Sequence, residues 1–178
     1  RDFYNVGDKI CLLSFGGSLG AQRLNEAVAD LMAWHLRERD FVHIHGSGSY
    51  YGPSYYFDLL KEKGIDAAKH NNLIIREYIN DMPRCLAAAD LVISRCGAIT
   101  LAEIRAAGKA SVLIPSPNVA ENHQYHNAMV LENHHAAVVI EEKDLTGEKL
   151  VQTVSEMLTQ PGKLAEMGRN ARSLSVDD

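Results

Sequence analysis

The chain has 178 residues, 46% of them hydrophobic, enough for one domain with its own core and too apolar for a disordered segment. Its net charge of −5, without a basic block, argues against a nucleic-acid partner. No apolar run reaches the roughly 18 residues of a membrane span. Arg1-Asp2-Phe3-Tyr4 does not read as a signal peptide, and Cys11, Cys85 and Cys96 follow no disulfide or metal spacing, so the expected setting is a reducing cytoplasm.

Residues 1–8 read as the remnant of a linker and residues 9–178 as one domain. Lys9–Phe15 is a continuous apolar run, the mark of a strand buried on both faces. A helix is expected from about Gln22 to Arg39, with Leu24, Val28, Leu31 and Leu36 near helical spacing. Phe41–His45 is a second strand, stopped by Gly46-Ser47-Gly48. Pro53 suits the first turn of a helix running to about Lys63. Asn72–Glu77 is a third strand, and Asp81 and Met82 open a short helix to Ala89. Strand four is Leu91–Ser94. Its following helix carries Leu101, Ile104 and Ala107 on the buried side and stops at Gly108. Ser111–Ile114 is strand five, a helix covers about Glu121–His134, and Ala137–Ile140 is strand six. Helices at Thr146–Leu158 and from Lys163 to about Leu174 close the chain, with Pro161-Gly162 between them. Strand and helix alternate six times. The expected fold is therefore α/β, a Rossmann-like doubly wound six-stranded parallel sheet in the order 3-2-1-4-5-6, with ligands beyond the carboxyl ends of strands one and four.

Three stretches reach that edge. Ser94-Arg95-Cys96-Gly97-Ala98-Ile99-Thr100-Leu101-Ala102-Glu103 runs from strand four into a helix. Gly97 allows close approach of a ligand, the first helix amides around Ala98 and Ile99 suit an anion, and Glu103 could reach sugar hydroxyls. Gly16-Gly17-Ser18-Leu19-Gly20 is a Gly-rich phosphate loop after strand one. No Lys-Ser/Thr pair follows it, and no acid follows strand two to hold an NAD ribose. The third stretch, Asn118–Asn127, presents His123, Gln124 and Asn127, side chains suited to sugar hydroxyls and phosphate oxygens. His123 and His126 lack the spacing of zinc helices and a third ligand, so no metal is expected. His43 and His45 share one face of strand two as core or helix-facing groups, His134 and His135 suit a helix C-terminus, and His35 and His70 carry no signal. There is no D-x-D, so a diphosphate would be held by amides, hydroxyls and Arg95.

Gly16-Gly17-Ser18-Leu19-Gly20-Ala21, the Ser94–Glu103 stretch and Asn122-His123-Gln124-Tyr125-His126-Asn127-Ala128 occur in this order. Together they resemble the C-terminal domain of glycosyltransferase family 28, over about Lys9 to Arg172. The resemblance implies half of a GT-B enzyme, with UDP-N-acetylglucosamine in this half and lipid I in an N-terminal domain. It places Ile79 and Met82 at the uracil, Glu103 on the ribose, and Ser18, Gly97, Ala98, Ile99 and Thr100 at the diphosphate. His123, Gln124 and Asn127 would meet the diphosphate and the sugar, and Arg95 the phosphate side. It implies no cofactor, a general base and membrane contact supplied by the N-terminal domain, and a full-length enzyme on the inner face of the cell membrane. The residues alone leave open a UDP-sugar epimerase of similar shape, or a non-catalytic donor-binding subunit paired with a membrane subunit.

Overall fold

The structure is a computed structural model that describes residues 1–17, 21–118 and 123–175. Strands β1 (Ile10–Phe15), β2 (Phe41–Gly46), β3 (Leu73–Arg76), β4 (Leu91–Ser94), β5 (Ala110–Leu113) and β6 (Ala137–Val139) form one sheet. Its order is β3-β2-β1-β4-β5-β6, with every neighbouring pair parallel. The intervening helices are α1 (Gln22–Glu38), α2 (Tyr55–Glu62), α3 (Met82–Ala88), α4 (Ala98–Ala107) and α5 (His123–Asn133), followed after β6 by α6 (Gly147–Thr159) and α7 (Lys163–Ser173).

Successive strand residues point to opposite faces of a sheet, and the two cores follow that alternation. Leu12, Leu91, Ile93 and Val112 pack with Leu24, Val28 and Leu31 of α1, Tyr56 and Leu60 of α2, and Leu150 and Val154 of α6. Cys11, Leu13, Ile44 and Val92 pack on the other face with Leu86 of α3, Leu101 and Ile104 of α4, Leu131 of α5 and Ala171 of α7. Both faces are thus covered, which is why the strands are apolar runs rather than alternating ones. Gly147 lets α6 close on α1, since a Cβ there would lie 1.9 Å from an Asp30 carboxyl oxygen.

Two local expectations are corrected. Ala107 is exposed. The end of α4 meets α7 through backbone instead: a Cβ on Gly168 would lie 2.4 Å from the Gly108 carbonyl. Pro53 precedes α2 rather than entering it, because a turn through Gly52 (φ +88°) absorbs it and Ser54 takes the N-cap position. Residues 1–8 pack on the domain. Val6 is buried, Tyr4 hydroxyl meets Asp81 and Cys85, and Arg1 donates to Asp90 and to the Ala88 carbonyl at 3.0 Å. Asp90 in turn accepts from the Cys11 N–H at 2.8 Å, so this segment braces the entry of β1.

Candidate functional site

A pocket of about 210 Å³ opens at the carboxyl edge of the sheet. Phe15 and Gly17 reach it from the exit of β1 and Gly46 from the end of β2. Glu77, Tyr78 and Ile79 come from the exit of β3, Met82 from the start of α3, and Thr100 and Glu103 from α4. Ile79, Met82, Thr100 and Glu103, expected at the site from the sequence, are therefore brought together from three separate segments. Gly46 has a packing reason to be glycine. A Cβ there would come within 3.1 Å of Ile79 Cδ1 and 3.5 Å of Phe15 Cβ, pushing the wall of the pocket outward. Gly17 sits at φ +101°, a conformation that side chains resist. Gly17 and Gly46 thus leave room at the strand ends.

Gly97 is the N-cap of α4, and no side chain caps that helix. The first helical bond runs from the Leu101 N–H to the Gly97 carbonyl at 3.0 Å, so the amides ahead of it point out of the helix end. A Cβ at Gly97 would meet nothing within 4 Å, and Ala98 and Ile99 are exposed. An open helix start favours an anion. Glu103 and Thr100 line the adjoining pocket, where a carboxylate repels an anion but accepts from hydroxyls. The arrangement suits a ligand with hydroxyls in the pocket and a charged group at the helix start.

The remaining expected residues divide. Ser18 and Gly20 lie outside the described residues. His123 and Asn127 are exposed four residues apart on one side of α5. Gln124 is buried, and its Oε1 accepts from the Ser116 N–H at 3.0 Å, so it braces the turn after β5. Arg95 does not line the pocket. Its guanidinium donates to the Pro115 carbonyl at 3.2 Å and the Ile114 carbonyl at 3.4 Å, and it pairs with Glu142 in the 3₁₀ turn Glu142–Asp144. The guanidinium expected on the phosphate side is here committed to joining the exits of β5 and β6. Among the described residues, no group of three or more His, Cys, Asp or Glu side chains is arranged to hold a metal ion.

Sequence reasoning missed Phe15, Gly46, Glu77 and Tyr78. Only Gly46, a glycine ending a strand whose residues are all buried, carried a local signal. It also missed a polar chain behind the pocket. His35 Nε2 lies 3.0 Å from His43 Nδ1, His43 Nε2 and His45 Nδ1 each lie 2.7 Å from Ser14 Oγ, and His45 Nε2 lies 2.8 Å from Asn25 Oδ1. Asn25 Nδ2 donates to the Ser47 carbonyl at 3.0 Å. A carbonyl only accepts, so the direction of every bond follows from that end. His45 donates to Asn25, Ser14 donates to His45, His43 donates to Ser14 and His35 donates to His43. All five side chains are buried. Burial pushes the imidazoles down, His35 to about 4 and His45 to about 3, and His43 also well below its ordinary value. The chain is thus built from neutral rings.

A family model described as the glycosyltransferase family 28 C-terminal domain matches residues 11–178. The chain belongs to this family. It is 41% identical over 94% of its length to the UDP-N-acetylglucosamine–N-acetylmuramyl-(pentapeptide) pyrophosphoryl-undecaprenol N-acetylglucosamine transferase of Desulforamulus reducens, of which it covers 45%. The like-named enzyme of Bacillus subtilis is 40% identical over 96% of this chain and 46% of its own. Among solved structures, Acinetobacter baumannii MurG aligns with a TM-score of 0.79 and 30% identity, over 98% of this chain and 48% of that one. A UDP co-structure of S. aureus MnaA aligns at a TM-score of 0.71 and 10% identity, a likeness of fold alone. The family 28 chain therefore spans about half the length of the curated relatives it matches. Its doubly wound sheet is the Rossmann-like half of a GT-B glycosyltransferase, as expected. Among the described residues no helix is long and apolar enough to cross a membrane.

Proposed function

We propose that this domain binds UDP-N-acetylglucosamine and is the donor half of an enzyme that transfers N-acetylglucosamine to lipid I, making lipid II for peptidoglycan. The observation that carries this reading is the convergence of Ile79, Met82, Thr100 and Glu103 on one pocket beside the open start of α4. Uracil meets Ile79 and Met82, the ribose hydroxyls donate to Glu103, and the diphosphate lies over the amides of Ala98, Ile99 and Thr100 and also takes Ser18 as a ligand. His123 and Asn127 face the sugar. The acceptor hydroxyl attacks C1 in line, the bond from C1 to the diphosphate oxygen breaks, and UDP leaves with the electron pair. Amides aimed at the diphosphate stabilise that departing charge. The acceptor, the base that takes its proton and the contact with the inner face of the membrane belong to the other half of the enzyme. With the helix start as the anion site and no D-x-D in the chain, donor binding needs no divalent cation.

Calorimetric titration with UDP, UDP-N-acetylglucosamine, UDP-glucose and NADH tests the reading. Both UDP and UDP-N-acetylglucosamine should bind, equally well with EDTA, and NADH should not. Failure of UDP to bind, or binding that requires magnesium or manganese, overturns it. With radiolabelled donor and a lipid I analogue, this domain alone should transfer no sugar. Turnover lost in Glu103→Ala would instead place a base within this domain.

A further inference from the structure

The buried polar chain ends at the pocket. Ser14 precedes Phe15 in sequence, and His45 and Ser47 flank Gly46; Phe15 and Gly46 both line the pocket. The Ser47 N–H donates to the Arg76 carbonyl at 2.9 Å and the Gly48 N–H to the Glu77 carbonyl at 2.8 Å. These two bonds carry the pairing of β2 with β3 past the last strand residue, onto the segment that becomes the pocket wall at Glu77, Tyr78 and Ile79. The Ser47 carbonyl is fixed from the opposite side by Asn25, fully buried near the start of α1. The Asn25 amide has only one useful orientation, because the Ser47 carbonyl can only accept; that turns the Asn25 oxygen to His45 Nε2–H and leaves His45 Nδ1 to accept from the Ser14 hydroxyl.

We propose that Asn25 is a positioning residue for the nucleotide pocket: it holds the Ser47 carbonyl, and through the Ser47-Gly48 turn it sets where Glu77, Tyr78 and Ile79 stand. The proposal rests on the reading of this pocket as the site for the uridine end of the donor. Ser14 and His45 act through Asn25, and none of the three touches the ligand. Purely apolar packing could fill the space between α1 and the sheet, but it could not grip a carbonyl at one point. His43 and His35 extend the chain on the far side, where, among the described residues, His35 Nδ1 ends it without a hydrogen-bond partner, and they reach the turn through Ser14.

The test compares Asn25→Asp with His35→Leu. Asn25→Asp keeps an acceptor for His45 but loses the donor to the Ser47 carbonyl. His35→Leu removes the far end of the chain. Three quantities are read for each: the dissociation constant for UDP, the melting temperature, and exchange of the Ser47 and Gly48 amide hydrogens, which hold the Arg76 and Glu77 carbonyls. Asn25→Asp should weaken UDP binding roughly tenfold or more and speed exchange at Ser47 and Gly48. His35→Leu should lower the melting temperature and leave both other readouts as in the wild type. Should Asn25→Asp fail to fold, Ser14→Ala, which removes only the hydroxyl that orients His45, should shift affinity and exchange in the same direction by a smaller factor. Unchanged affinity and exchange in the folded variant would overturn the proposal and make Asn25 a core group only. If the wild type itself does not bind UDP, the nucleotide reading fails, and the exchange rates alone decide whether Asn25 positions the wall.

Discussion

A carboxylate that accepts from two neighbouring hydroxyls makes charge-assisted bonds, each worth roughly 1.5–3 kcal/mol. Glu103 is placed for that task on the pocket side of α4, and among the described residues its side chain makes no hydrogen bond or ion pair that supports the fold. Glu103→Ala should therefore weaken UDP binding by at least about tenfold while leaving the melting temperature within a degree or two of the wild type. Equal affinities for UDP in a folded variant would remove Glu103 from the site. At this scale the sequence was informative where a residue's place follows from its own motif: Thr100 and Glu103 stand at fixed steps from Gly97 along one helix. Arg95 shows the limit. A basic residue beside a helix start reads as an anion ligand, yet its acidic partner Glu142 lies 47 residues away in a short turn that no local pattern announces. Phe15, Glu77 and Tyr78 were hidden for the same reason, since each lines the pocket only because three strand ends stop at one level.

The turn from β5 into α5 is held at two points, by Gln124 from inside the helix and by Arg95 from β4. This changes what a substitution at Gln124 does. Gln124→Ala removes the acceptor of the Ser116 N–H, so it should speed amide exchange at Ser116 and lower affinity for UDP-N-acetylglucosamine more than for UDP. Gln124→Glu keeps an acceptor for that amide and should restore slow exchange. Loss of affinity for both ligands to the same extent would place the effect on the diphosphate or on folding, not on the sugar. Element boundaries were legible wherever an apolar period met a breaker, as at Gly108, which ends α4 at φ +67°. They were less so where a turn competed for the same residue. Pro53 could begin a helix, but the positive φ of Gly52 turns the chain first.

The whole sheet could be ordered from sequence because alternating strands and helices with right-handed crossovers leave few topologies. The polar chain through the α1 side of the core could not. Its bonds depend on the parallel register that sets Ser14 beside His45, and register is not visible in either strand alone. That chain governs acid stability. The three histidines are held neutral when folded but take up protons near pH 6.5 when unfolded. Below that pH the unfolded chain binds more protons than the native one, so stability is fully present above about pH 6.5 and falls as pH drops. Near pH 5 three such groups together give a slope of up to about 4 kcal/mol per pH unit. Chemical denaturation between pH 7.5 and 4.5 should show the decline, and His35→Phe should reduce its slope by about a third. Stability that stays flat from pH 6.5 to 5 would mean that the rings are charged or hydrated in the native state.

With β1 at the middle of the sheet, one of its edges belongs to β2 and the other to β4. A growing polypeptide delivers β2 and then β3 before β4. Until Leu91–Ser94 leaves the ribosome, the row of amides and carbonyls along Leu12–Phe15 has no strand to receive it. An open edge of apolar residues invites pairing with the wrong chain. Long-range parallel pairing is also slow, because the intervening chain must be closed before the contacts form. Arrival of β4, with Asp90 closing on the Cys11 amide, covers that edge, so the interval before it is when the β1 edge of a nascent chain is exposed to aggregation.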